Sequence, residues 1–252
     1  MLNYILADYK RIVSRIPRLV VLVLFELGFV GYVLFKWSKA LGAYNSVSLM
    51  GHSNTFFGTL FLLLLTTVAF VQSFSYDFRY KTIQVAIGIG ISRMRVVICK
   101  LIQFTLVVIT DLLITYVVFV VLCIVTGTPL TAHQVAQMLV KGLYSVLIAS
   151  CSAALAMPLV FRTQNMIMSM IAYLLLLLGI FTNILHWISR AAPEFIVRLQ
   201  LERFTHDSFI GLLQTNLLMG RFQLLPLLGT AFYFALGIYL TWFAFRKLEL
   251  DF

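Results

Sequence analysis

Six long apolar runs constrain this chain most, because each is about as long as a bilayer is thick. A helix needs ~20 mainly apolar residues to cross about 30 Å of hydrocarbon. The runs cover roughly residues 19–35, 55–74, 101–125, 135–160, 166–187 and 224–245. The 252 residues are 62% hydrophobic and only 11% charged, with a mean hydropathy of +1.00. Water cannot solvate that much apolar side chain outside a core, whereas a bilayer can. The expectation is an all-α membrane protein with six transmembrane helices, one transmembrane domain over residues 1–252.

Charge sets the orientation. With the N-terminus inside, the inner loops and ends hold Lys10, Arg11, Arg15, Arg18, Arg79, Lys81, Arg93, Arg95, Lys100, Arg162, Arg246 and Lys247. The outer ones hold Lys36, Lys39, Lys141, Arg190, Arg198, Arg203 and Arg221. Twelve against seven, with four of the seven in one long loop, places both termini in the cytoplasm. The net charge of +10 does not point to nucleic acid, because the basic residues sit singly or in pairs at the edges of apolar runs. Cys99, Cys123 and Cys151 have no Cys-x-x-Cys spacing and read as small buried hydrophobes. No signal-peptide pattern precedes the first run.

Residues 1–18 mix apolar and basic side chains. Leu2, Ile5, Leu6, Tyr9, Ile12, Val13 and Ile16 recur at helical spacing, with Asp8, Lys10, Arg11 and Arg15 mainly between them. This predicts an amphipathic interfacial helix on the cytoplasmic membrane surface, ended by Pro17. The turn around 161–165 is tight. The outer loop 188–223 carries enough apolar residues for one or two short extracellular helices.

Charges inside the runs cost at least ~2.5–3.5 kcal/mol to bury in lipid. Glu26 and Asp111 lie at comparable depth in the first and third runs, either lining a cargo path, sharing a proton, or bonding Thr, Ser, Tyr or Asn on a neighbouring helix. Lys141 is placed to snorkel outward. Ser145, Ala149, Ala153 and Met157, with Ser152 and Ala156 beside them, give a small-residue packing face, within the subunit or across a dimer. Asn183 and His186 sit near the outer end of the fifth run, as candidate contacts for cargo or as partners in an interhelical hydrogen bond.

Enzymatic constellations are missing from the sequence. The four histidines have no spaced partners for a metal, and no Gly-x-Ser-x-Gly elbow occurs. No Gly-x-x-x-x-Gly-Lys-Ser/Thr loop occurs either, and Lys81-Thr82 lacks the preceding glycines. The expectation is no catalytic residue, no metal and no cofactor in this chain.

Between the second and third runs lies a charged segment, 75–100. Its Tyr76-Asp77-Phe78-Arg79-Tyr80-Lys81-Thr82-Ile83, then Gly88-Ile89-Gly90-Ile91-Ser92-Arg93, then Lys100-Leu101, resembles the membrane subunits of bacterial type-2 ABC exporters. Lys81 stands where those subunits commonly have glycine, and Ile91 where many have proline. The resemblance extends to the six runs, the amphipathic start and the outer loop before the last run. It implies a permease of the peptide or bacteriocin export or immunity kind, in a bacterial plasma membrane. It also implies a cytoplasmic coupling helix here, contacting an ATPase through Tyr76, Asp77, Phe78, Arg79, Tyr80, Lys81, Thr82, Ser92, Arg93 and Arg95. ATP and Mg would then be held by two separate cytoplasmic ABC ATPase subunits, with a second permease copy or a related permease completing the path. The rival readings are a proton-coupled secondary transporter using Glu26 and Asp111, for which no broken helices are visible in the sequence, and a non-transporting scaffold or sensor.

Overall fold

Ile5, Asp8 and Ile12 fall at intervals of three and four, and the helix they lie on, α1 (Leu2–Val13), turns all three inward. The computed structural model describes residues 2–39, 49–51, 56–79, 82–88, 90–191 and 201–246. Among them there is no strand. After α1 come α2 (Ile16–Lys39), a π-helical stretch (Phe56–Thr66) running straight into α3 (Thr67–Arg79), and the short α4 (Thr82–Gly88). Next are α5 (Arg93–Val125), α6 (Ala132–Thr163), α7 (Met166–Leu177) and α8 (Ile180–Ala191). A 3-10 turn (Leu201–Phe204), α9 (His206–Leu218) and α10 (Leu224–Arg246) complete the order.

Four of these helices, α2, α5, α6 and α10, are long and apolar enough to cross a membrane, or five if α7 and α8 count as one bent span. The protein is therefore a multi-pass, all-α membrane protein. The stretch Gly58–Phe74 is apolar but shorter.

Contact register gives the direction of each segment. Arg18 meets Asp111, Glu26 meets Thr115 and Phe29 stacks on Phe119, so α2 and α5 run parallel. Thr105 Oγ1 lies 3.0 Å from Ser150 Oγ, and the Tyr116 hydroxyl donates to the Met138 carbonyl over 2.6 Å, so α6 runs back along α5. The stretch from Phe56 to Arg79 also runs back, since Phe61 meets Phe25 and Phe70 meets Phe104. Helix α10 is parallel to α6, with Gly237 against Ala154 and Phe245 against Phe161. Consequently α1, α4, the start of α5, the α6–α7 turn and the last turn of α10 gather at one end of the bundle.

The core sits where α6 meets α10. Ala149, Ala153, Ala156 and Met157 are fully buried, so the small-residue face is used within the subunit. A Cβ on Gly237 would lie 2.7 Å from the carbonyl carbon and oxygen of Ala154, and only glycine permits that approach. All three cysteines are buried and free.

Several expected boundaries are corrected. Pro17 does not end the N-terminal helix: α1 stops at Val13, and Pro17 lies in the first turn of α2, where its missing N–H costs nothing. Helix α5, which carries the third run, begins at Arg93, eight residues before the apolar run, because Ser92 caps it. The fifth run is not continuous. It breaks at Leu178–Gly179 with a 61° bend, although the sequence shows no broken helix. Gly179 has φ +61°, a left-handed conformation that glycine adopts without steric cost.

Candidate functional site

The charged segment between α3 and α5 is more ordered than a loop. Helix α4 buries Ile83 and Ala86, and it closes on Gly90 (φ +91°), with the Gly90 amide donating to Ile87 and the Ile91 amide to Ala86. That is the Schellman pattern, and its left-handed position is the reason for glycine here. Tyr80 and Lys81 lie outside the described residues, as do the side chains of Tyr76, Asp77, Phe78, Arg79 and Thr82. Tyr76 to Arg79 form the last turn of α3, and Thr82 opens α4.

Ser92 and Arg93 have defined internal partners. The Ser92 hydroxyl accepts from the Arg95 amide at 3.4 Å, an N-cap that satisfies one orphan donor of α5. Arg93 Nη1 donates to the carbonyls of Phe245 (2.7 Å) and Arg246 (2.9 Å), and its guanidinium lies 5.4 Å from the centre of the Phe245 ring. The last carbonyls of a helix have no intrahelical donor, and a cation is favoured beside them. Arg93 thus ties the start of α5 to the end of α10. Arg95 is exposed.

A second tie joins α1 to α5 and was missed from sequence. Lys100 is fully buried and its ammonium bonds the Asp8 carboxylate, which also pairs with Arg11. The ammonium lies 5.8 Å from the centre of the Tyr4 ring, and the Tyr9 hydroxyl is 2.6 Å from Thr110 Oγ1. Asp8 therefore sits on the buried face of α1, not among the solvated positions between apolar ones. Three turns further along α5, Asp111 accepts from Arg18 Nη2, and both side chains are 2% exposed. Arg18 Nη1 also donates to the Val13 carbonyl at 3.2 Å. Arg18 marks the inner edge of a run in the sequence, but in the fold it is the buried partner of Asp111.

The expected path residues separate. Glu26 and Asp111 do come within one turn of each other. The Thr115 hydroxyl lies 2.6 Å from Glu26 Oε1 and 2.9 Å from the Asp111 carbonyl. The Asp111 carboxylate is bonded to Arg18, and the Glu26 carboxylate to Thr115, so each has a packing partner. Asn183 is exposed on α8, beyond the break. Lys141 is half-buried on α6.

No group of three or more His, Cys, Asp or Glu residues placed to hold a metal occurs among the described residues. One end of the bundle carries a short helix whose continuation is fastened by Arg93 to the last span and by Lys100 to the N-terminal helix. The chain matches no protein-family model, no curated protein and no solved structure.

Proposed function

We propose that this chain is the membrane subunit of an exporter driven by separate cytoplasmic ATPase subunits, with α4 and its flanks as the docking site. The observation that carries the reading is the position of α4. It is a short helix between α3 and α5, at the end where α1 and the close of α10 also lie. Lys10, Arg93, Arg95, Arg162 and Arg246 belong to this end, which by the positive-inside tendency is cytoplasmic. Counting the Phe56–Arg79 stretch and the bent α7–α8 pair, successive segments alternate in direction, which supports six crossings with both termini inside. A push delivered at α4 would reach α10 through Arg93 and α1 through Lys100. The apolar spans suit amphipathic or hydrophobic cargo, with small cytolytic or antimicrobial peptides as the first candidates, passing between this subunit and a second permease.

The test is purification from detergent, followed by assay for a co-purifying ATP-hydrolysing subunit. The reading expects such a subunit, retained by the wild type and lost with Tyr80→Ala. Purification of the chain alone, with cargo movement driven by a proton gradient, would overturn it. One observation favours that second reading, the break at Gly179, since ion-coupled transporters build sites at discontinuous helices. Against it, such transporters place breaks in both halves, and Asp111 is bonded to Arg18.

A further inference from the structure

A break inside a bilayer leaves the carbonyls before it and the amides after it without helical partners, and protein groups must meet them. At the α7–α8 break, the first residues of α9 lie beside these groups. The Leu176 carbonyl at the end of α7 accepts from the Gly179 amide at 3.1 Å, and the His206 imidazole is 3% exposed. Its Nε2 lies 3.3 Å from Ser152 Oγ on α6. The Asp207 carboxylate accepts from Thr182 Oγ1 in the first turn of α8, and a Cβ on Gly179 would meet Asp207 Oδ2 at 2.6 Å. A carboxylate at a helix N-terminus is stabilised by the free amides and the helix dipole. Thr182 Oγ1 is also 2.9 Å from Thr205 Oγ1.

Helix α9 then runs antiparallel to α6. His206 lies by Ser152, and a small gap further along is lined by Ile210 and Leu213 from α9 and by Tyr144 and Leu147 from α6. Ser152 is twenty residues into α6, about 30 Å at 1.5 Å per residue. So α9 starts deep in the bundle, and the break and the tip of α9 occupy one place.

We propose that α9 is a wedge holding the α7–α8 bend, so that its withdrawal and the straightening of α7–α8 are a single transition. If α9 leaves while the bend stays, Thr182 at the start of α8 and Ser152 lose their partners together. Straightening restores the helical hydrogen bonds across 178–180, and a continuous helix of that length, about 39 Å, still crosses a bilayer. Gly179 is the residue that tolerates both backbones. As the outer gate of a cargo path the device rests on the export reading; the transition itself does not.

Two spin-label pairs in lipid nanodiscs test it, on a background with Cys99, Cys123 and Cys151 replaced by Ala. Exposed positions Phe181 and Leu225 report the bend, and exposed Leu212 and Leu139 report the wedge. The expected result is one main distance per pair in the parent. Asp207→Asn and Ser152→Ala should each add a second distance, with equal populations in both pairs. Gly179→Ala should raise the second population roughly tenfold, because alanine disfavours the left-handed conformation. Should Gly179→Ala fail to fold, Ser152→Ala decides. Distances unchanged in all folded variants, or a wedge that moves while the bend stays, would overturn the proposal. Failure to co-purify an ATPase would sink the export reading and leave the transition standing.

Discussion

The Arg18–Asp111 pair joins the start of α2 to the middle of α5, and its removal has a calculable effect. Both side chains are 2% exposed, so neither charge is solvated when its partner is deleted. Breaking a buried pair by removing one member costs ~3–5 kcal/mol, and replacing both by apolar residues of similar volume is near neutral. Arg18→Ala also loses the bond to Val13 and leaves a lone carboxylate; Asp111→Ala leaves a lone guanidinium. Each single substitution should therefore lower the folding equilibrium constant by roughly two to four decades, at 1.4 kcal/mol per decade. Arg18→Met with Asp111→Leu should recover most of the loss, so that the double costs far less than the sum of Arg18→Met and Asp111→Leu measured singly. The assay is unfolding in mixed micelles with increasing dodecyl sulfate, followed by fluorescence of Trp37, Trp187 and Trp242. Single substitutions costing under about 1 kcal/mol, with an additive double, would refute the argument, because that is the behaviour of a solvated pair.

Glu26→Gln should be mild, under about 1 kcal/mol in the same unfolding assay, because an amide oxygen still accepts from Thr115; a cost like that of Asp111→Ala would contradict the separate partners assigned to the two carboxylates. Gly237→Val should destabilise by ~1–3 kcal/mol, since its Cβ would press on the Ala154 carbonyl. Tyr173→Phe removes the 2.7 Å bond to Thr66 Oγ1 and should cost about 1 kcal/mol by denaturant midpoint. Arg93→Ala should speed amide exchange in the last turn of α10 while leaving the rest of the bundle protected, and Arg93→Lys should restore that protection only in part.

Much of the fold was legible because its strongest signal is length of apolar sequence. Four of the six expected runs lie on a helix long and apolar enough to cross a membrane, and the small residues from Ser145 to Met157 do form a packing face. The break at Gly179 was hidden because Leu174 to Phe181 stay apolar throughout, so hydropathy registers no gap. Only the left-handed glycine with Asp207 across from it makes the bend, and Asp207 is 28 residues away. The ion pairs were missed for a different reason. Arg18 and Lys100 stand at the edges of apolar runs, where cations usually snorkel. Yet Asp8 falls between Ile5 and Ile12 on one face of α1, and Lys100 and Asp111 are three turns apart on one face of α5. Both spacings could have identified buried charge. Ser92-Arg93 suggests a contact for a partner, and the structure adds internal work for both residues, a cap and a tie.

The central claim is that the end carrying α4 receives force from a separate ATPase. Quantitative co-purification from detergent tests it most directly, by measuring ATP hydrolysed per permease. The account predicts ATPase activity with the wild-type chain, lost with Tyr80→Ala. With Arg93→Ala the subunit should still bind, but its hydrolysis should no longer respond to added amphipathic peptide. A chain that purifies without any ATP-hydrolysing partner, yet remains folded and moves peptide, would contradict it.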